Sequence, residues 1–561
     1  MNQRLSWTIG SLALGLLAGA SPARAGGLYL PGSGTVSVGR AGASVASLDD
    51  PSAIGVNPAG IAGTKGTVVY VGASLISFNL TFHRYGVYED VAGRTDRWEG
   101  QAYGAVSDDS KPAIGVGPFQ AVPTLAVAHS LDKVVKGLTI GAGIYAPTAY
   151  PARRMGADYT LEDPNTPPPP TRYDVIEQNA AVVLPSIMVA YRPIDKLDLG
   201  ARFSSGFGDF DATTYVWGLA NFEEWAGKDA KFHVKVKDMF VPAFGLGARY
   251  RVSPAIEVGA AWASAVNVEA SGTGDTVQGS GVELGPGQRP TIIPVEDSAA
   301  ACAKGGTAAA LKACVNIVLP MTATVGGRYI VRDAAGAQVA DVEANVQWEQ
   351  WSDASIQEVI VDGFASVGGT TDIGLPLQKS RIRHNFQDTF SLRLGGSYQR
   401  VMGPGLVTLR GGVAYDTAAA KKNWERADLD GAARTTATLG ASLTLSKVRI
   451  DLGGGIVHEG TRTQTTYCDN NTPAPTAPVR ACCRPTRAPA PIRSSRSATP
   501  AASRSARSTR ARSRAATASC SSASRPGSES VGMKRVFRKD PPPQDVGPPP
   551  KTRDRVRGIE F

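Results

Sequence analysis

Histidines, cysteines and paired carboxylates are the side chains from which acid–base, nucleophilic and metal chemistry is usually built, and this chain carries few of them in useful positions. Its five histidines, His83, His129, His233, His384 and His458, lie far apart in sequence, and none sits in a Gly-x-Ser-x-Gly turn or at metal-ligand spacing. A catalytic triad shows itself by the mutual geometry of nucleophile, base and orienting acid, and no stretch around these histidines hints at one. They read as surface or strand-end residues, and no catalytic residue is assigned. The six cysteines form two groups, Cys302 with Cys314, and Cys468, Cys482, Cys483 and Cys520, with no CxxC pair among them. Without accompanying histidines or clustered carboxylates they make no metal site, so neither metal nor cofactor is expected. In an oxidising compartment Cys302 and Cys314 could close a small loop as a disulfide.

The N-terminus supplies the compartment. Arg4, the apolar stretch Ile9 to Leu17 and the small-x-small site Ala23-Arg24-Ala25 read as an export signal over residues 1–25, with the mature chain beginning at Gly26 or Gly27. That apolar stretch is far short of the roughly 20 residues a helix needs to cross hydrocarbon. No later segment reaches spanning length either, so a mature chain that enters a membrane must do so as a barrel. The net charge of +10 suggests an anionic partner until it is located: residues 469–561 hold 19 Lys and Arg against 6 Asp and Glu, which leaves the rest of the chain at −3. No nucleic-acid partner is expected for such a body.

What remains must position something other than a catalytic group. Segments of alternating character, rich in Val, Leu, Tyr and Gly, predict strands near 67–83, 119–131, 138–146, 179–192, 197–207, 231–252, 256–270, 317–331, 340–351, 386–400, 406–417, 434–446 and 448–460. Their connections alternate between short, such as Arg251-Val-Ser-Pro254, and long, such as 84–118, 147–178, 271–316 and 352–385. Transmembrane barrels place short turns at one rim and long loops at the other, whereas a soluble sandwich has no reason to. Tyr145, Tyr150, Tyr191, Tyr215, Trp217, Tyr250, Tyr329, Trp348 and Trp351 fall at strand ends and are expected in interfacial girdles. Pro185 and Pro242 each remove a ladder donor inside a strand, at a gap in the wall or at a bulge or strand end.

Thirteen readable strands leave a single-chain barrel one short of an even count. The missing strand should follow Tyr467, where the composition turns abruptly to Ala, Arg, Ser and Pro, as in Ser503-Arg-Ser-Ala-Arg-Ser508. Such a segment has too little apolar content to order itself, so 468–561 is expected to be a disordered basic tail. It is either a natural tail that binds anionic lipopolysaccharide or peptidoglycan, or the product of an altered reading frame that replaced the last strand. Closure favours the second reading, since a barrel needs another strand.

At the other end, residues 26–64 are rich in Gly, Ala and Ser without clean periodicity, which suits a compact plug inside the barrel, where irregular backbone is shielded from lipid. Here Gly39-Arg40-Ala41, then Asp49-Asp50, then Asn57-Pro58-Ala59-Gly60 resemble the hatch of the FadL-type outer-membrane long-chain fatty-acid transporters. Two further patches resemble the same family, Val342 to Ser352 with its Trp-Ser ending, and Asp388-Thr389 through Leu406 to Asp416. The resemblance runs from Gly27 to about Gly460. It implies an all-β fold, a fourteen-strand transmembrane antiparallel barrel over 65–467 with an N-terminal hatch in the lumen, and a hydrophobic path that leaves sideways through the wall. It also implies a monomer in the outer membrane of a Gram-negative bacterium, surrounded by lipid and lipopolysaccharide, whose partners are hydrophobic small molecules such as long-chain fatty acids. Aromatic hydrocarbons are an alternative cargo on the same scaffold, and a porin for small polar solutes is a second alternative. The pocket residues stay open.

Overall fold

The structure, a computed structural model, describes residues 29–463 with interruptions, the longest being 89–96, 217–228, 279–290, 295–310 and 367–373, together with 491–499 and 559–560. The expected signal segment and Cys302 lie outside the described residues. Along the strand Thr389–Met402, Phe390 and Leu392 are more than half exposed while Thr389, Ser391 and Arg393 are buried. This pattern is inside-out for a soluble sheet and right for a wall with lipid outside and a polar lumen. The same alternation recurs in the strands around it, and every described pairing is antiparallel.

From Thr67–His83 to Val448–Thr463 successive long strands pair in chain order. The ring then closes through Pro491–Thr499, which pairs with Gly455–Thr463 on one side and Leu75–Phe82 on the other. This corrects the expectation of a structureless tail at one place. Two open edges demand backbone partners, and a ladder needs only N–H and C=O groups, not an apolar sequence.

Among the described residues the sheet consists of 22 strand pieces, more than the fourteen staves expected, because several staves are broken and short pieces are added. The breaks fall where Ile256–Ala263 gives way to Val266–Gln278 and Leu311–Leu319 to Thr322–Arg332, and at the turn Trp351–Ala354 that follows Gln338–Glu349. Beyond the breaks the sheet continues into the long-loop end. Ser271–Gln278, Leu311–Asn316, Ile356–Val361 and Ser380–Arg383 are strands where loops were expected. The girdle expectation needs a similar correction. Tyr191, Tyr250 and Tyr329 point outward, but Tyr145, Tyr215 and Trp351 are buried, and Tyr150 and Trp217 lie outside the described residues.

Residues 30–64 pack against the inner face of this wall as one helical turn, Thr35–Val38, and two 3-10 turns, Pro51–Gly55 and Pro58–Gly63. The wall meets them with glycines. A Cβ on Gly247 would lie 1.9 Å from Asn57 Oδ1, one on Gly412 would lie 2.3 Å from the Arg40 carbonyl carbon, and one on Gly200 would lie 2.3 Å from Ala59 N. A Cβ on Gly259, Gly395 or Gly453 would lie 2.7, 2.6 or 2.7 Å from the backbone oxygen of Val45, Arg40 or Thr35. Glycine is needed here for space, so that backbone can approach backbone.

Candidate functional site

Each motif residue of the N-terminal segment has a definite place. Arg40 is buried, donates through Nη1 and Nη2 to Asp341 at 3.1 and 2.8 Å, and lies 3.4 Å from Glu343. Asp341 is also held by Arg328 at 2.8 Å, so the wall presents a charge network to a single arginine of the segment. Gly39 lies against Gly440, and Ala41 adopts a positive φ of 51°. Asp50 caps Pro51–Gly55 by accepting from Ser52 N at 2.8 Å, and it forms an ion pair with Arg449 of the wall. Asp49 is exposed. Asn57 caps Pro58–Gly63, with Oδ1 accepting from Ala59 N at 3.1 Å and Nδ2 donating to Val45 O at 2.7 Å and to the wall carbonyl of Ala248 at 3.2 Å. Pro58 and Ala59 are buried. Gly60 does not have a positive φ, and what it supplies is room, since a Cβ would lie 2.6 Å from Leu48 O.

Above this segment lie two cavities. The lower, about 150 Å³, is lined by Ser37, Pro58, Arg202, Arg393, Leu184 and Trp262 among others. The upper, about 130 Å³, is predominantly apolar, with Val122, Val182, Phe210, Ile317 and Leu319 in its lining. Tyr29, Ala146 and Pro147 line both, so the two lie in series. In the lower cavity the Nε donors of Arg202 and Arg393 are buried and have no hydrogen-bond partner among the described residues. Sequence reasoning missed both arginines. Their signal is a lone cation between small lumen-face neighbours, Gly200 and Ser204 around Arg202 and Ser391 and Gly395 around Arg393.

The wall beside the upper cavity is interrupted. Leu138–Tyr145 pairs with Thr124–Ser130 and with Leu184–Tyr191 and then ends, and beyond it only Gly115–Val116 pairs with Phe119–Gln120 and Arg153–Arg154 with Glu177–Gln178, which leaves Ala121–Pro123 and Asn179–Val183 without a ladder partner on this side. Residues of both flanks line the upper cavity. Pro185 sits at the lower edge of this break, where the ladder to Leu197–Val216 skips from Val183 to Ser186.

Of the five histidines, His129 meets Thr67 Oγ1, His233 meets Asp211 and His384 meets Asp428. Cys314 is buried and disulfide-bonded. Among the described residues no three His, Cys, Asp or Glu side chains are grouped to hold a metal.

A ring-closed sheet with apolar side chains outside, charges and glycines inside, and two cavities above an inner segment, the upper one apolar, defines an outer-membrane transport barrel. The family described as outer membrane protein transport protein (OMPP1/FadL/TodX) matches residues 16–478, and the chain belongs to it. That family comprises outer-membrane transporters of hydrophobic compounds, which are channels rather than enzymes. No curated protein matches the chain. Among solved structures, a Pseudomonas aeruginosa FadL homologue superposes with a TM-score of 0.60 at 16% identity, covering 84% of this chain and 98% of its own. The Pseudomonas putida toluene transporter TodX gives 0.54 at 15% identity, covering 84% and 97%.

Proposed function

We propose that the protein takes up long-chain fatty acids by diffusion, with residues 26–64 acting as a hatch that gates the path, as a monomer embedded in outer-membrane lipid and lipopolysaccharide. The upper cavity and the wall break beside it suit an acyl chain, which gains about 0.8 kcal/mol for each CH₂ removed from water. Two cavities in series suit a long chain better than a compact ring. The observation that carries the choice of cargo is the pair of unpartnered guanidinium donors, of Arg202 and Arg393, in the lower cavity. A carboxylate would accept from them, whereas a hydrocarbon has nothing to offer. Hydrogen bonds to a charged group contribute about 1.5–3 kcal/mol each.

Uptake of labelled oleate, toluene and a small sugar by cells lacking their own transporter tests this reading. Wild-type protein should raise oleate uptake and leave sugar uptake unchanged. Arg202→Leu with Arg393→Leu should cut oleate uptake by about tenfold or more, from the loss of charge-assisted bonds, and leave toluene entry as it was. Toluene transport with no response to oleate would make the protein an aromatic-hydrocarbon channel, and sugar passage alone would make it a polar porin.

A further inference from the structure

The wall is interrupted a second time, on the side away from the short strand Leu138–Tyr145. The strand Ala230–Ser253 zips with Ile256–Ala263 near the short-turn end, where Gly245 pairs with Ala263. It zips again with Ser271–Gln278 near the long-loop end, where Lys237 pairs with Ser271. The stretches between, 238–244 and 264–270, are equally long, so no insertion forces them apart. Two ties bound the parting. At the lower one, Ser264 N donates to Phe244 O and Phe244 N donates to Ser264 Oγ, both at 2.9 Å. At the upper one, Asp238 accepts from Glu269 N at 2.8 Å and from Phe240 N at 3.0 Å, so a side chain stands where a backbone rung would be. Between the ties, Met239–Ala243 and Ala265–Val268 share no ladder pair.

The sequence accounts for the parting. Pro242 has no N–H to donate. The strand also bulges at Asp238–Val241, where its register against Gly206–Gly208 shifts. The parted edges are apolar on the lumen face, and on the outer face one edge presents apolar side chains and the other the exposed Asn267. Met239 and Phe240 are exposed outside, while Val241, Val266, Val268 and Leu184 are packed behind them on the lumen side. The lower cavity reaches this point, since its lining includes Leu184, Ala243, Ala263, Ser264 and Val266 together with Trp262, whose neighbours along the strand place it on the outer face.

We infer that this parting is a second lateral port, through which an apolar chain passes between the lower cavity and the lipid around the barrel. The inference rests on the transport reading and extends it. Aliphatic side chains close the port, and no backbone ladder has to break for them to turn aside. A polar solute meets mainly Val, Leu, Met and Phe there, with Asn267 at the outer edge, and is excluded by desolvation.

A disulfide across the parting tests the port in the full chain. Ala243→Cys with Ala265→Cys should stand opposite each other, and Ala248→Cys with Ala260→Cys, already a ladder pair, serves as control. Oxidation of the first pair should lower labelled oleate uptake several-fold, and reduction should restore it, while the control pair responds to neither. Wild-type uptake by the oxidised first pair would overturn the port and leave the transport reading standing; absence of oleate and toluene uptake by the wild-type protein would instead sink the transport reading. A measurement independent of transport uses the protein in lipid nanodiscs. A membrane-dissolved maleimide should label Ala243→Cys several-fold faster than Ala190→Cys, which lies behind zipped wall, after subtraction of wild-type labelling. Equal rates would overturn the port.

Discussion

The lower and upper halves of the lumen are built on opposite principles. Around residues 30–64 the contacts are directional: Arg40 to Asp341 and Glu343, Asp50 to Arg449, Asn57 to Val45 and Ala248, all fitted against glycines that admit backbone at close range. Around the upper cavity the contacts are aliphatic and aromatic, from Val122, Val182, Phe210 and Leu319, with no fixed partner for whatever enters. Directional ties hold an element in one place or let it go as a unit. Apolar walls bind in proportion to buried area and let a chain slide. The difference teaches that the N-terminal segment and the cavities above it are held by separable contacts, and substitutions should be able to damage either one alone.

The largest effect should come from filling the glycine belt. Gly247→Val with Gly412→Val places carbon where Asn57 Oδ1 and the Arg40 carbonyl now sit. Overpacking of this kind costs about 1–3 kcal/mol or more at each site. The N-terminal segment should be displaced as a body, and a steady ion conductance should appear in planar bilayers. The barrel should keep its heat-modifiable gel mobility, because its ladder does not depend on the segment. A silent bilayer with normal mobility would show that the segment does not block the lumen.

A smaller effect is expected at Asn57. Its side chain makes three hydrogen bonds, two within the segment and one to the wall. Asn57→Ala removes a cap and leaves buried carbonyls short of a donor, at a cost of about 1–3 kcal/mol. Oleate uptake should change while mobility stays as it was, since an equilibrium between two hatch packings responds to a few kcal/mol and a closed barrel does not. Unchanged uptake in this variant would make the turn mere packing.

The sequence told these regions apart unevenly. The membrane part was legible because apolar-out, polar-in alternation follows directly from lipid on one face, as in Thr389–Met402. The strands beyond the breaks were not, because Ser271-Gly-Thr-Gly-Asp275 consists of small and polar residues, as loops also do. The motif residues of the N-terminal segment stand out in the sequence, but what they touch does not. Asp341 and Glu343 lie some three hundred positions from Arg40, and only folding brings them together. The glycine belt left a trace in the repeated pairs Gly326-Gly327, Gly395-Gly396 and Gly411-Gly412, one in each of several strands. Closure through Pro491–Thr499 left none, because backbone pairing carries no side-chain signature.

The smallest effect, and one confined to the upper half, concerns pH. Outside the membrane-spanning strands, Asp174 and Asp428 share Arg426, which lies 3.0 Å from each, and Asp428 also meets His384 at 3.1 Å. Asp174 additionally accepts from Ala427 N at 3.3 Å, and Arg153 donates to Ala427 O, so the cluster ties the segment before Glu177 to the one before Arg434. The Asp174 carboxyl is pushed up to about 6, by burial first and by the neighbouring Asp428, against the downward pull of Arg426 and the Ala427 N–H. Burial would raise Asp428 too, but Arg426 and His384 outweigh it and hold that carboxyl below its usual range. A raised carboxyl binds its proton more tightly folded than unfolded. Its contribution is therefore present below its ordinary value and lost as pH rises through about 6. Asp428 works the other way, its contribution being lost only as pH falls below the ordinary carboxylate range. Amide hydrogen exchange of the protein in detergent should show protection at Asp174 and Ala427 falling as pH rises through about 6, after correction for the intrinsic rate, with the spanning strands unaffected. Asp174→Asn, which cannot ionise, should flatten that fall. Protection that rises across the same window would mean that Arg426 outweighs burial at Asp174, and the upper segments would then be tightest at neutral pH.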